Sequence, residues 1–141
     1  MNAPEHHGFQ LHPQLVADSH PVCDLPLSTV RLIDDVRWPW LILVPRRPFA
    51  SEVVDLAHGD QLALLVEISK VSRVLQRQYR TDKLNIAALG NLVPQLHVHI
   101  ICRRKDDAAW PRPVWGVGTP EPYRPEHLHI RIRQLASSLA G

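Results

Sequence analysis

Two histidines and a glutamine stand at alternate positions in one short stretch of the sequence. Residues 95–102 read Gln-Leu-His-Val-His-Ile-Ile-Cys, with Gln95, His97 and His99 in phase. If the stretch is a β-strand, these side chains share one face, and neighbours along that face lie roughly 7 Å apart. The opposite face would be apolar, formed by Leu96, Val98, Ile100 and Cys102. Two imidazoles and a carboxamide within reach of one small group favour a reactive site over a solvent-facing strand.

The same stretch resembles the motif of a known family. The histidine triad (HIT) motif is His-φ-His-φ-His-φ-φ, where φ is apolar, and this chain has Gln95 at the first histidine position. The resemblance covers about residues 25–116 and implies a HIT-like fold. It also implies nucleotide hydrolysis or nucleotidyl transfer at an α-phosphate of dinucleoside polyphosphates, nucleoside phosphoramidates or adenylylated compounds. His97 takes the place of the middle histidine, which in the family attacks the phosphate and is transiently nucleotidylated.

That chemistry gives the three polar side chains, our predicted catalytic residues, different roles. His97 can attack only through a deprotonated ring nitrogen, so its other nitrogen must donate, and we expect a backbone carbonyl to accept. We expect His99 to donate a hydrogen bond to the phosphate or to the departing oxygen. Gln95 offers a neutral donor and a neutral acceptor, which predicts that it orients its neighbours or the phosphate.

Three further residues are predicted to bind the substrate. Asn85 and Asn91 can donate to phosphate oxygens, and Asn91 falls where the family has the Gln of a Gly-Gln pair. The resemblance also implies an acidic or amide residue on the ribose hydroxyls, and we assign this role to Asp35, with Asp34 as the alternative. A carboxylate suits a vicinal diol because it accepts two hydrogen bonds. Leu92 stands where the family usually has a small hydroxyl residue, so one phosphate donor is absent.

The composition is that of one ordinary globular domain, with 141 residues and a net charge of +2. So small a charge does not favour bulk attraction to nucleic acid or to a membrane, and we expect neither partner. No apolar stretch is long enough to span a bilayer, and the first residues lack the pattern of a secretory signal. Cys23 and Cys102 match no metal or redox spacing, and we predict a reduced, cytoplasmic protein.

The regular elements predict an α+β fold with an antiparallel sheet, one long helix and a short C-terminal helix. We expect a single domain over residues 1–141, with its core at about 9–116 and a helical extension at about 125–139. β-Branched and aromatic residues predict strands at 29–36 and 40–44, and the second of these is apolar enough for a central strand. Residues 9–11 and 15–17 are predicted to be extended, and 23–26 a turn. A helix over 60–80, capped by Gly59 and Asp60, has an apolar stripe of Leu64, Ile68, Val71 and Leu75.

The strand that precedes the histidines sets what lies beside them. Residues 84–89 are predicted to form a strand, joined to residues 95–102 by a hairpin over 90–94. If Leu89 pairs with Gln95, then Ala87 lies opposite His97, and Asn85 lies opposite His99. Ala87 would leave room beside His97 for a substrate phosphate.

Other interpretations of the histidine pair remain open. His97 and His99 could chelate a metal, but no further Cys, His, Asp or Glu stands at a recognisable ligand spacing, so we expect neither a metal nor a cofactor. The chain could also bind nucleotides without turning them over. The resemblance further implies a homodimer that pairs through the long helix and its adjoining strand. Trp110 and Trp115, among prolines, indicate either a hydrophobic clamp or an interface patch.

Overall fold

A five-stranded antiparallel sheet carries the fold. The computed structural model describes residues 8–141; residues 1–7, where we expect no secretory signal, lie outside the described residues. The strands are β1 (Ser19–Asp24), β2 (Ser28–Ile33), β3 (Trp40–Pro45), β4 (Lys83–Ala87) and β5 (Val98–Arg103). The α-helices are α1 (Pro13–Asp18), α2 (His58–Gln78) and α3 (Pro125–Ala140), and a short 3₁₀ helix covers Val53–Asp55. The predicted α+β class is confirmed.

The strand order β1-β2-β3-β5-β4 places the histidine strand beside the central strand. Ile42 of β3 is opposite His99, and Trp40 is opposite Ile101. Trp40 and His99 therefore lie diagonally on the same face of the sheet, within reach of an aromatic side chain. β4 is an edge strand.

The main core lies between the sheet and the two longer helices. All four residues of the stripe predicted for α2 face it, although Ile68 is only partly buried. The stripe of α3 faces the same core, formed by Leu128, Ile132, Leu135 and Leu139. Glu67 of α2 is also buried, and its carboxylate accepts the backbone N–H groups of Leu27 at 2.7 Å and Ser28 at 3.1 Å. This carboxylate ties α2 to the start of β2.

A second apolar cluster covers the other face of the sheet. β3 is buried along its whole length because its residues alternate between the two clusters, as expected of a central strand. The second cluster joins Trp40, Ile42 and Ile101 from the sheet to residues before β1 and after β5. His97 and His99 belong to this face, while Leu96 and Val98 point into the main core. The predicted alternation of faces is therefore confirmed.

The first part of the chain differs from the prediction. Residues 15–17 belong to α1 instead of an extended segment, because Pro13 starts the helix and the His12 imidazole accepts the N–H of Gln14. Residues 23–24 end β1 where a turn was expected, since a register shift between Pro21 and Cys23 accommodates the proline. The helix cap predicted at Gly59 and Asp60 is also wrong, because α2 already begins at His58.

The predicted pairing of β4 with β5 is wrong by two residues. Ala87 is opposite His99, and Asn85 is opposite Ile101. A shift of two keeps every side chain on its predicted face, so the alternation of polar and apolar residues could not detect it. β4 also ends at Ala87 and β5 begins at Val98, which makes the connection longer than the predicted hairpin. Among the described residues, no helix is long and apolar enough to cross a membrane.

Candidate active site

A cleft of about 600 Å³ lies over the histidine face of the sheet. Its floor is formed by His97 and His99, and aromatic residues Trp40 and Trp115 stand beside them. The remaining walls come from α1, from the end of β2 and the residues that follow it, from the connection between β4 and β5, and from the segment that precedes α3. They are formed by Leu15, Ala17, Asp18, Ile33, Asp34, Asp35, Leu89, Gly90, Asn91, Leu92, Val93 and Pro120. The cleft therefore combines two buried imidazoles with a largely apolar lining.

His97 is held by its own strand. Its Nδ1 atom lies 2.7 Å from the carbonyl oxygen of Gln95, two residues earlier in the chain. A carbonyl can only accept, so Nδ1 carries the proton and Nε2 keeps its lone pair. The predicted backbone carbonyl partner of His97 is confirmed, and in the neutral ring this contact leaves Nε2 as the unprotonated nitrogen.

His99 is held by a neighbouring strand in the opposite tautomer. The indole N–H of Trp40 donates to Nδ1 of His99 at 2.9 Å, and an indole N–H can only donate. Nδ1 of neutral His99 is therefore unprotonated, and Nε2 carries the hydrogen. The two rings are 4.9 Å apart between centroids, so a nucleophilic nitrogen and an N–H donor belong to adjacent side chains. Trp40 was missed by the sequence analysis; its only signal was an indole at the start of an aliphatic run.

Burial keeps His99 neutral. It lowers the pKa of His99 from 6.5 to about 3, and a positive charge on His97 would lower it further. His99 is 6% exposed, in agreement with this cause. At neutral pH, His99 is thus a hydrogen-bond donor through Nε2 without being an imidazolium.

This lowered pKa predicts that acid destabilises the fold through His99. In the unfolded chain, His99 takes up a proton below about pH 6.5, whereas in the folded protein it stays neutral down to about pH 3. The free energy of unfolding should therefore fall as the pH decreases between these values, by up to about 1.4 kcal/mol per pH unit. Urea denaturation at several pH values gives the free energy of unfolding as a function of pH. This free energy should decrease less steeply with falling pH in His99→Phe than in the wild type, and an equal pH dependence in the two proteins would contradict the assignment.

The side chain of Gln95 lies outside the lining of the cleft. Its amide oxygen accepts the backbone N–H of His12 at 2.9 Å, and its amide nitrogen donates to the carbonyl of Gln10 at 2.9 Å. Gln95 also precedes β5, which begins at Val98, so the predicted strand is three residues shorter at this end. The Gln95 backbone touches His97, whereas its carboxamide binds the N-terminal segment.

The two candidate aspartates both line the cleft, but they differ in their partners. Asp35 is 2% exposed, and both its carboxylate oxygens accept from the Arg37 guanidinium, at 2.9 and 2.8 Å. Asp34 is more exposed; one of its oxygens accepts the N–H of Tyr123 at 3.0 Å and lies 3.4 Å from His20 Nε2. Asp34 thus has more capacity to accept from a ligand, and Arg37 holds Asp35 in place.

The two candidate asparagines are separated. Asn91 lines the cleft, next to Gly90 in the positive-φ region that suits a glycine turn. Asn85 does not line the cleft. Because β4 is shifted by two residues from the predicted register, Asn85 lies opposite Ile101 instead of opposite His99. Its side-chain oxygen accepts from Arg103 at 2.8 Å.

Comparison with known proteins identifies the family. The family model of the HIT domain matches residues 14–106, which is more than half of the chain. This chain belongs to the HIT domain family. Proteins of this family bind nucleotides, and its members are typically nucleotide hydrolases or transferases. No curated protein sequence matches the chain.

Solved HIT structures share this fold over nearly their whole length. A histidine triad protein from Bradyrhizobium japonicum is 53% identical, with a TM-score of 0.91 over 94% of this chain and 98% of that one. One from Marinobacter aquaeolei is 44% identical, with a TM-score of 0.91 over 94% and 96%. One from Sinorhizobium meliloti is 43% identical, with a TM-score of 0.90 over 92% and 96%. The predicted HIT-like fold is confirmed.

A polar clasp at the end of β5 supports the aromatic wall of this HIT cleft. The buried Arg103 guanidinium binds both oxygens of Asp107, at 2.8 and 3.1 Å, as well as Asn85. Burial raises the pKa of Asp107, but Arg103 and three backbone N–H groups outweigh burial and hold that pKa well below its ordinary value. The loop beyond Asp107 returns to the cleft with Trp115, whose ring centroid is 5.1 Å from that of His99. Trp115 therefore fits the clamp interpretation of the tryptophan loop.

Metal-binding groups do not converge on the histidines in the part of the HIT chain that the structure describes. Over residues 8–141, no group of three or more His, Cys, Asp or Glu side chains could hold a metal ion. Within the same residues, His97 and His99 have Nδ1 atoms engaged by Gln95 and Trp40. A metal would have only their Nε2 atoms available, and that of His99 would first have to lose its hydrogen.

Proposed function

We propose that this protein hydrolyses or transfers nucleotidyl groups at an α-phosphate through a covalent intermediate on His97. The observation that carries the proposal is the pair of opposite histidine tautomers. Gln95 leaves Nε2 of His97 free to attack, while Trp40 leaves Nε2 of His99 carrying a hydrogen. One nucleophile beside one donor is the arrangement that phosphoryl transfer requires.

In the first step, Nε2 of His97 attacks the α-phosphorus, and the bond from phosphorus to the leaving group breaks with its electron pair on that group. The His97 ring becomes positively charged in the adduct. Its Nδ1–H already points at the Gln95 carbonyl, 2.7 Å away, so this charge gains a stronger hydrogen bond without rearrangement. His99 Nε2–H donates to a phosphate oxygen as negative charge develops there.

In the second step, the oxygen of water or of another acceptor bonds to phosphorus. The bond to Nε2 breaks, its electron pair returns to the His97 ring, and the acceptor's proton passes to solvent. His97 regains its starting tautomer because Nδ1 never loses its proton to the Gln95 carbonyl. The cycle consumes no group of the protein.

The neutrality of His99 restricts the leaving group. With its pKa lowered to about 3 by burial, His99 is not an imidazolium at neutral pH, and loss of its Nε2 hydrogen would leave a buried anion. Complete proton transfer from His99 is therefore unfavourable. We therefore propose two kinds of leaving group. The first departs as a stable anion, such as phosphate or carboxylate. The second is an amine whose nitrogen is already protonated in the bound substrate.

A substrate screen with trapping of the adduct tests this proposal. Purified protein is incubated with dinucleoside polyphosphates, nucleoside phosphoramidates and adenylylated carboxylates, then quenched and analysed by mass spectrometry. We expect a mass increase of one nucleoside monophosphate on the peptide that contains His97. Turnover without any such adduct would refute the covalent mechanism.

We also predict that activity is independent of bound metal. The two steps use only protein groups and solvent, so extended dialysis against a chelator should leave kcat/KM unchanged within about twofold. Loss of activity on chelation, with recovery on addition of Zn²⁺, would instead support the metal-binding interpretation of His97 and His99. Metal analysis of the protein before dialysis is the control.

We propose, in addition, that the protein is a homodimer. Apolar side chains of α2 and the edge strand β4 are exposed, namely Leu62, Leu65, Val66 and Ile86. The three residues of α2 are spaced three and four apart, so they form one continuous stripe. A second copy that covers both elements would remove this stripe from water and protect the strand edge.

The dimer is tested by a charge placed in the stripe. Leu65 is 61% exposed, so Leu65→Glu should leave the fold of the monomer intact. In the dimer, the new carboxylate would lose its water, and this cost should disfavour association. We expect sedimentation to show a dimer for the wild type and a monomer for the variant at micromolar concentration. Ile130→Glu, at a similarly exposed apolar position on α3, is the matched control and should remain dimeric. A monomeric wild type would exclude the dimer.

A further inference from the structure

The carboxamide of Gln95 joins two parts of the chain that are distant in sequence. It accepts the N–H of His12 and donates to the carbonyl of Gln10, both at 2.9 Å. Residues 10 and 12 present these two groups on the same side of an extended segment, as a strand does toward its neighbour. One amide group thus pairs with the segment as the peptide group of a neighbouring strand would.

The anchored segment leads directly into a wall of the cleft. α1 begins at Pro13, and its residues Leu15, Ala17 and Asp18 line the cleft. The far end of this helix is fixed by the backbone, since Asp18 accepts the N–H of Asp34 at 3.0 Å. The near end is fixed by Gln95. The helix is therefore held by hydrogen bonds at both ends, in addition to the packing of Leu15 in the second apolar cluster, and the hydrogen bonds at the near end come from a single side chain.

We propose that Gln95 is a positioning residue that controls nucleotide affinity by holding the α1 wall against the cleft. The inference rests on the proposed function, because it takes the bound group to be a nucleotide. It assigns the two ends of Gln95 to separate tasks. The carbonyl orients His97, whereas the carboxamide fixes the segment of residues 10–12.

This assignment gives a physical reason for glutamine at the first position of the motif. The donor and acceptor of a carboxamide lie side by side at its tip, so both can reach one extended segment. The two nitrogens of an imidazole point away from each other, so a histidine at position 95 could keep at most one of the two bonds. Restoring the third histidine of the family motif should therefore weaken binding.

Variants on both sides of the contact separate the two tasks. Gln95→His removes at least one bond, and Gln95→Glu replaces the donor to Gln10 with an acceptor. His12→Pro deletes the N–H that donates to Gln95, and the φ of −58° at His12 is compatible with proline. His12→Ala is its matched control, because it loses the imidazole that caps α1 but keeps this N–H. All four retain the Gln95 carbonyl.

Affinity and exchange provide the readouts. We expect Gln95→His, Gln95→Glu and His12→Pro to raise the Kd of AMP or GMP in calorimetry roughly 5- to 50-fold. Hydrogen exchange over residues 8–18 should become faster in the same variants. The kcat at saturating substrate should stay within about threefold, because His97 and His99 keep their partners. His12→Ala should change the Kd less than about threefold.

Three outcomes would overturn the proposal. A fall in kcat with unchanged Kd and exchange would make the Gln95 side chain catalytic. A higher kcat/KM in Gln95→His would show that histidine serves better at this position. An equal loss of affinity in His12→Ala and His12→Pro would assign the effect to the helix cap. If the wild type turns over no nucleotide, the proposed function fails, yet hydrogen exchange still decides whether Gln95 holds α1.

Discussion

Replacing His97 with alanine should lower kcat by at least about 1,000-fold, because the variant lacks the nucleophile of the first step and therefore forms no adduct for the second step to resolve. The truncation removes a ring that is 7% exposed and whose proposed partner is the phosphate. Binding of nucleoside monophosphates should persist within about tenfold, since the nucleophile contributes more to the transition state than to the ground state. Steady-state kinetics and calorimetry on the same preparation give both values.

A control for this variant exists in the same chain. His127 and His129 repeat the His-x-His spacing on α3, where both are exposed and residues two apart on a helix point in different directions. His129→Ala should therefore retain wild-type kinetics and form the adduct. An adduct or full turnover in His97→Ala would refute the role proposed for His97.

Trp40→Phe should lower kcat/KM roughly 10- to 100-fold, although Trp40 makes no covalent bond to any reacting atom. Phenylalanine keeps most of the aromatic packing against His99 and Trp115 but loses the indole N–H. Without that donor, Nδ1 of His99 can carry the hydrogen, and the tautomer with an unprotonated Nε2 toward the phosphate becomes accessible. A fraction of the protein molecules would then lack the N–H that we propose donates to the phosphate.

Trp38→Phe is the matched control for Trp40→Phe. Trp38 is 1% exposed and packs against Trp40 in the same cluster, but its indole nitrogen has no hydrogen-bond partner among residues 8–141. Both substitutions remove similar volume from the same apolar cluster. We expect Trp38→Phe to change kcat/KM less than about threefold. Equal losses in the two variants would attribute the effect to packing and contradict the tautomer mechanism.

The sequence predicted which face each residue of the histidine strand occupies, because alternation is a property of the extended backbone. The same pattern could not set the register, since a shift of two residues preserves every face. Asn85 shows the consequence. It was correctly placed on the face of the histidines, yet it binds Arg103 and lies outside the cleft.

Contacts between distant segments were beyond the reach of the sequence. The indole of Trp40 meets His99 diagonally across two strands, and the partner of the Gln95 side chain lies 83 residues away. Neither contact has a periodic signature. By contrast, the long helix was predicted to within two residues at each end, because its apolar stripe repeats over about three turns of one element.

Because β5 faces the cleft on one side and the main core on the other, it restricts where residues can be inserted into or deleted from this chain. Odd-numbered residues of the strand face the cleft and even-numbered residues face the main core, with His99 and Ile100 as adjacent examples. Inserting or deleting one codon between His97 and Cys102 would send an imidazole into the apolar core and an aliphatic side chain into the cleft. The first residues of the connection at 88–97 belong to no strand, so an insertion or deletion there does not exchange the two faces of β5. Natural variation in length should therefore accumulate there, where it reshapes the cleft wall without reversing the strand.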